Sequence, residues 1–313
     1  MRVALVFTVL NEMATIGDLL STLDAQTRQP DEVVVVDGGS RDGTVEALQA
    51  WAAQSPSRTV LVRPGANISA GRNAAVAATT AEVLAVTDAG CRLDPQWLEH
   101  LLAPLADPEV AVAMGFYLPD AHTTFERLVS CLNLPDADEV DPARFLPSAR
   151  SVAYRREVFD AVGGYPEWLA IGEDMHFDLA MARAGFRREF VPSAVVHWRL
   201  RADARSFLRQ YYRYARGDGI AGMHARRHAA RFATYGLLAA TLAGPSRTRP
   251  LAVVPLGGLA WWLRPTLPRA RRRLGSRWPV AVPAVPALTL AMDAANMAGY
   301  LAGTVRRRQG GRP

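Results

Sequence analysis

The 313-residue sequence predicts an α/β fold built on a parallel sheet, and three observations carry that prediction. Short apolar runs alternate with stretches of helical spacing, the signature of βαβ units. Three of the runs are followed by a carboxylate, at Glu12, Asp37 and Asp88. Right-handed crossovers bring the ends of parallel strands to one edge of the sheet, which is where open α/β sheets bind ligands.

The elements follow in order. Val3–Leu10 is a first strand that exits at Asn11-Glu12. With one arginine and no small-residue cleavage site, this segment is expected to be a strand and not a cleaved leader. Ile16, Leu19, Leu20 and Leu23 share one helix face. Glu32–Asp37 is a second strand, exiting into Asp37-Gly38-Gly39-Ser40. Asp42 is expected as the N-cap of a helix that aligns Val45, Leu48 and Trp51. After a short third strand, Thr59–Val62, Ser69 is expected to cap a helix over 70–78. Val83–Thr87 is the fourth strand, apolar throughout and therefore buried on both faces, and Asp88 ends it.

The acceptable chemistries narrow by what is missing. No G-x-G-x-x-G follows the first strand and no G-x-x-x-x-G-K-[ST] occurs, which disfavours a dinucleotide oxidoreductase and a P-loop enzyme. Asp37-Gly38-Gly39-Ser40-Arg41-Asp42-Gly43-Thr44 instead sets carboxylates after the second strand, an arrangement suited to hydrogen bonding a base or ribose. The two cysteines, Cys91 and Cys131, form no disulfide framework and suit a reducing compartment. Net charge is +6, with the arginines crowding the second half. They alternate with apolar stretches and accompany no nucleic-acid motif, so anionic lipid is favoured as a partner over nucleic acid.

Together, Thr8-Val9-Leu10-Asn11-Glu12, Asp37-Gly38-Gly39-Ser40-Arg41-Asp42-Gly43-Thr44, Gly71-Arg72-Asn73 and Thr87-Asp88-Ala89-Gly90-Cys91 resemble the ordered motifs of a family 2 glycosyltransferase over roughly residues 1–220. The resemblance implies the GT-A fold, a Rossmann-like nucleotide-diphosphosugar domain, with Asn11, Glu12, Asp37 and Asp42 among the donor-binding residues. By the same resemblance Glu12 and Asp37 hold the uridine end and Arg72 faces the diphosphate. Asp88 begins the D-x-D element that holds a divalent cation, Mg²⁺ or Mn²⁺. This chain departs from that element, because Gly90-Cys91 supplies no second carboxylate. Mg²⁺ needs few protein carboxylates when phosphates also bind it, and a soft Cys91 ligand does not suit it.

Beyond residue 106 the pattern loosens. Met114–Tyr117 suggests a strand, Phe125–Leu132 an apolar helix face, and 133–147 a surface loop. Val152–Arg155 resumes a strand, and Arg156–Val162 a helix stopped by Gly163-Gly164. Glu173-Asp174 opens a helix that Gly185 should end. Acids there cap a helix and offset its dipole. The alternative is a general base for an acceptor hydroxyl, and the resemblance implies that role for Asp174, with Glu173 orienting it. His197, at the end of Val195–Trp198, is either structural or, by resemblance, a metal or diphosphate ligand. Arg209–Gly219 reads as a helix ending at Gly217. It is a solvated basic helix, or one whose Arg213 and Arg216 grip the leaving diphosphate or an anionic acceptor.

From residue 226 the apolar runs Phe232–Leu242, Leu251–Leu263 and Val280–Val305 are separated by basic or proline-containing linkers. The first two are shorter than the ~20 residues of a spanning helix. The expected organisation is thus a catalytic domain over 1–225, with a nucleotide-sugar half (1–105) and an acceptor half (106–225). A membrane-associated helical region over 226–313 follows, on the cytoplasmic face of the membrane. The expected function is an inverting transfer of sugar from a nucleotide diphosphate to a lipid-linked or envelope-glycan hydroxyl. Two other readings stay open. A sugar-phosphate nucleotidyltransferase should carry a Gly-rich basic loop that Leu10–Ile16 lacks, and a catalytically silent membrane-bound scaffold is suggested by Gly90-Cys91.

Overall fold

The computed structural model describes residues 1–310, which fall into two compact units: 1–120 with 136–199, and 121–135 with 200 onward. Compactness divides the chain at 199/200, whereas the sequence expectation sets its boundary at residue 225.

The first half of the chain runs β1 (Val3–Val9), α1 (Ile16–Asp24), β2 (Glu32–Asp37), α2 (Thr44–Ala52), β3 (Arg58–Val62), α3 (Ile68–Ala77) and β4 (Val83–Val86). Then come β5 (Cys91–Leu93), α4 (Trp97–Leu102), β6 (Val112–Asp120) and α5 (Thr124–Asn133), the last belonging to the second unit. β7 (Val152–Arg155), α6 (Arg156–Val162), α7 (Glu173–Arg183) and β8 (Arg188–Arg199) complete the first unit.

Its sheet has the order β3-β2-β1-β4-β7-β6-β8-β5. The first four strands are parallel, as expected, while β7 pairs antiparallel with both β4 and β6. Alternation explains why β1 is apolar at every position but one. Leu5 and Phe7 join a core with α1, α2 and α4, and Ala4 and Val6 join the opposite core with α3 and α7. β8 is longer than the expected Val195–Trp198. Its register against β6 shifts between Gly115 and Phe116, where Val191 and Val195 are the partners, so Pro192–Ala194 bulges out. A proline cannot donate to the ladder, and a bulge is where a strand tolerates it.

Two caps differ from expectation. Asn67, extended, accepts from the Ala70 N–H at 2.9 Å and caps α3. Ser69 already lies inside the helix, with a buried hydroxyl that has no partner. At α2 the N-cap is Gly43, at φ +97°, which is left-handed and costs glycine little. Asp42 acts from one residue earlier, accepting from the N–H groups of Thr44 (3.2 Å) and Met13 (3.1 Å).

The second unit is helical: α5, α8 (Ala204–Ala221), α9 (Ala225–Ala243), α10 (Val253–Leu263), α11 (Thr266–Leu274) and α12 (Ala281–Arg308). α8 does not end at Gly217 but runs on to a left-handed Gly222. Gly219 thins the helix instead, because a Cβ there would meet the backbone of Tyr300 and Gly303 on α12. Gly299 and Gly303 admit the α8 backbone at Tyr212 and Arg216 in the same way. A polar network locks α9 to these helices. Arg231 donates to Asp293 Oδ1 at 2.6 Å, and the Tyr235 hydroxyl donates to Asp293 Oδ2 at 2.7 Å. Arg231 also faces His228 Nδ1 at 3.1 Å. On its other side the His228 ring meets Asp218, Nε2 lying 2.8 Å from Oδ2.

Candidate active site

The site is assembled at the C-terminal edge of the parallel strands. β1 lies between β2 and β4, and register sets Asp37 opposite Val9. Asp88 follows β4 by two residues. Glu12, Asp37 and Asp88 therefore occupy neighbouring strand exits, with Asp37 and Asp88 roughly 10 Å apart across β1 at ordinary strand spacing.

The exits of β1 and β2 are tied to one another. Asn11 Oδ1 accepts from the Arg41 N–H at 3.0 Å, and the Asn11 N–H donates to Ser40 Oγ at 2.7 Å. Asn11 is left-handed at φ +55°, a conformation asparagine tolerates better than most residues. The Glu12 N–H donates to Thr44 Oγ1 at 3.0 Å, while its carboxylate accepts from Thr15 Oγ1 at 2.8 Å. Asp37 is fully buried. Its Oδ1 takes the N–H groups of Gly39 and Ser40, both at 2.7 Å, and its Oδ2 has no partner. A buried carboxylate oxygen left open beside two glycines is a ready acceptor for a ligand hydroxyl or N–H.

Arg72 joins the two halves of the site. It sits on α3, where Gly71 lets the helix close on β1; a Cβ there would lie 2.7 Å from Thr8 Cγ2. The Arg72 side chain is 3% exposed and reaches Asp88 Oδ1 at 2.7 Å and Glu173 Oε1 at 2.9 Å. Tyr165 underlies it, ring centroid 5.1 Å away. Burial works against the charge, but Asp88 and Glu173 outweigh it and hold Arg72 protonated.

Acids crowd around Arg72. Burial first, then Asp174, push Glu173 up to about 7, although Arg72 opposes them. One turn on, Asp178 is buried with Oδ2 unpartnered, and burial followed by Asp174 raises its carboxyl well above the usual range. Asp174 is half-buried, and its Oδ1 accepts from the Met175 N–H at 2.8 Å.

The sequence reading missed Arg150. Its Nε lies 3.8 Å from Asp88 Oδ2, and its guanidinium stacks on Trp198 at 3.9 Å. No local pattern announces it: it follows the loop that spans Asp136–Ala149, and only tertiary folding brings it to β4. Trp198 and His197 alternate along β8, so they face opposite sides of the sheet. His197 Nε2 accordingly lies 3.9 Å from Asp94, and no contact joins it to Asp88. Arg213 (exposed) and Arg216 (half-buried) lie on α8 of the second unit.

Asp88 is the carboxylate at the exit of β4, and it faces Arg72 and Arg150. Among the described residues no group of three or more His, Cys, Asp or Glu side chains could hold a metal. Burial, then the Asp88 charge, push the Cys91 thiol up to about 12, and its soft sulfur does not suit a hard cation. Asp88 keeps a 33% exposed side chain. This donor set fits a hard cation whose remaining ligands are phosphate oxygens and water.

Comparison with known proteins identifies the family and the fold. Residues 5–163 match the model of glycosyl transferase family 2. The succinoglycan biosynthesis protein ExoA of Rhizobium meliloti is 30% identical over 228 residues, 68% of each chain. Glycosyltransferase AglE of Haloferax volcanii is 27% identical over 199 residues, covering 62% of this chain. The match spans 65% of AglE, about two thirds of that protein's length. The structure of the mannosyltransferase PcManGT from Pyrobaculum calidifontis, in complex with GDP-Man and Mn²⁺, has the same fold at TM-score 0.57 and 20% identity, covering 99% of this chain and 87% of that one. The chain belongs to glycosyl transferase family 2.

Proposed function

We propose that this protein is an inverting glycosyltransferase that moves a sugar from a nucleoside-diphosphate donor to a hydroxyl of a lipid-linked or envelope-glycan acceptor, working at the cytoplasmic face of the membrane. The observation that carries the reading is Arg72, one buried cation shared by Asp88 at the donor edge and Glu173 at the base. In this reading Asp37, with Glu12, Asn11 and Asp42 around it, holds the nucleoside. Arg72 and Arg150, both turned to Asp88, receive the negative charge of the diphosphate. Arg213 and Arg216 are candidate further contacts for the diphosphate or an anionic acceptor.

Asp174 takes the acceptor hydroxyl proton as that oxygen bonds to the anomeric carbon. The bond from that carbon to the diphosphate breaks, and its electron pair leaves on the diphosphate. Attack from the face opposite the leaving group inverts the centre. Glu173 and Arg72 orient Asp174 and set its electrostatic surroundings. A divalent cation, Mg²⁺ or Mn²⁺, held by Asp88 and the donor phosphates, supplies charge stabilisation to the leaving group when bound. AglE, named a glycosyltransferase, ExoA, named for succinoglycan biosynthesis, and the mannosyltransferase PcManGT with its GDP-Man and Mn²⁺ support a sugar-transferring role.

The test is a thermal-shift panel of uridine, guanosine and thymidine diphosphates and their sugars, with and without Mn²⁺. At least one should stabilise the fold, and Asp88→Ala should abolish the Mn²⁺-dependent part. Failure of every nucleotide to bind contradicts the reading.

A further inference from the structure

α10 has almost no protein around it. From Val253 to Leu263 only Pro255 is buried, while Val253, Val254, Leu256, Trp261 and Trp262 are 51–69% exposed. Large apolar side chains gathered this way on a water-facing helix mark a contact surface. The helix is too short to cross a bilayer, rising about 16 Å over its length, against a hydrocarbon core of about 30 Å. Both of its ends therefore stay on one side of any membrane it enters.

The flanking charge identifies the partner. Arg247 and Arg249 precede α10, Arg264 ends it, and Arg271 and Arg272 stand exposed on the next helix. No aspartate or glutamate occurs between Asp218 and Asp293, whereas arginine recurs throughout. The Arg264 guanidinium lies over the Trp261 ring at 4.1 Å, pairing a cation with an aromatic ring as membrane interfaces do.

The rival membrane element is Thr266–Arg308, the stretch that contains α12, which is long and apolar enough to cross by length and composition. Part of the α12 surface is already in use, while Val282, Leu290, Leu301 and Val305 stay 51–53% exposed. Asp293 holds Arg231 and Tyr235, and Gly299 and Gly303 pack on α8, which carries Arg205, Arg209 and Arg213. A helix so charged does not enter hydrocarbon, so the face of α12 packed on it stays outside too.

We propose that α10 is a single-leaflet wedge that lies in the plane of an anionic phospholipid surface, its apolar side chains among the acyl chains and the flanking arginines on the lipid phosphates. This binding is separable from sugar transfer and is read without any donor or acceptor.

The full chain is sedimented with phosphatidylcholine vesicles and with vesicles containing about one-quarter phosphatidylglycerol. The protein binds the anionic vesicles and prefers them to the neutral ones. The W261S/W262S double variant loses on the order of tenfold in vesicle affinity. Its thermal unfolding is unchanged, because the two rings are solvent-exposed. R264Q/R271Q weakens binding and flattens its salt dependence. Equal binding to neutral vesicles, or wild-type affinity in the tryptophan variant, overturns the proposal. So does a vesicle-free dimer that the tryptophan variant abolishes, since the face would then belong to a second copy of this chain.

Discussion

The nucleoside end and the base end of the site are built in opposite ways. At the exits of β1 and β2, Asp37 Oδ1 is satisfied by two N–H groups within three residues, and short local bonds fix Asn11 to Ser40 and Arg41. At the base end, groups from three distant segments share charge: Arg72 on α3, Asp88 after β4 and Glu173 on α7. The first region is held by backbone geometry and holds its shape without any ion. The second is held by one buried guanidinium among acids that are held partly protonated. Its properties should therefore depend on pH and on any single charge, while those of the first should not.

The largest effect expected from this contrast is at Arg72. Arg72→Ala leaves Glu173 buried without its cation and should cost about 3–5 kcal/mol near pH 8, as breaking a buried pair does. The loss should shrink near pH 5, below the ionisation of Glu173 at about 7. Denaturant unfolding at the two pH values measures this. Arg72→Lys should restore little, since one ammonium does not bridge two carboxylates as a planar fork does.

Next in size is Asp174→Asn, which should reduce transfer by about 10²–10⁴-fold while leaving nucleotide-dependent thermal shifts intact. A parallel loss of donor binding would place Asp174 at the nucleoside end instead.

Glu173→Gln should act mainly on pH dependence. In the wild type Glu173 ionises as pH rises through about 7, placing a negative charge beside the proposed base, so kcat should show an inflection across that interval. The variant, with a neutral amide toward Arg72, should lose that inflection.

The smallest effect is at Asp178, whose carboxyl is raised by burial. The folded state keeps a proton that the unfolded state releases. Its contribution is therefore complete at pH below the ordinary carboxylate range and is lost as pH rises through the raised value. Asp178→Asn should match the wild type in acid and become progressively more stable than it toward alkaline pH, as thermal unfolding across pH would show.

The same contrast governs how much was legible in the sequence. β1, β2 and β4 could be read because strands buried on both faces must be apolar throughout, and their exits stood out as acids. The Asp37 loop could be read because its bonds are local. Arg150 and Asp178 could not, because their importance comes from neighbours 60 or more residues away or from burial itself. Glycine misled in one place: Gly217 resembled a helix stop, but α8 runs past it to Gly222, and Gly219 in between serves contact with α12. Ser69 misled for a related reason, since a capping residue type two residues too far along is simply a buried hydroxyl.

The most direct test of the shared-cation account is a ¹³C carboxyl titration of Glu173 in the wild type and in Asp88→Asn. Asp88 both repels Glu173 and competes for Arg72, so removing its charge should lower the Glu173 ionisation from about 7 toward the ordinary carboxylate range. An unchanged Glu173 titration would mean that Arg72 does not couple the donor edge to the base, and the account would fail.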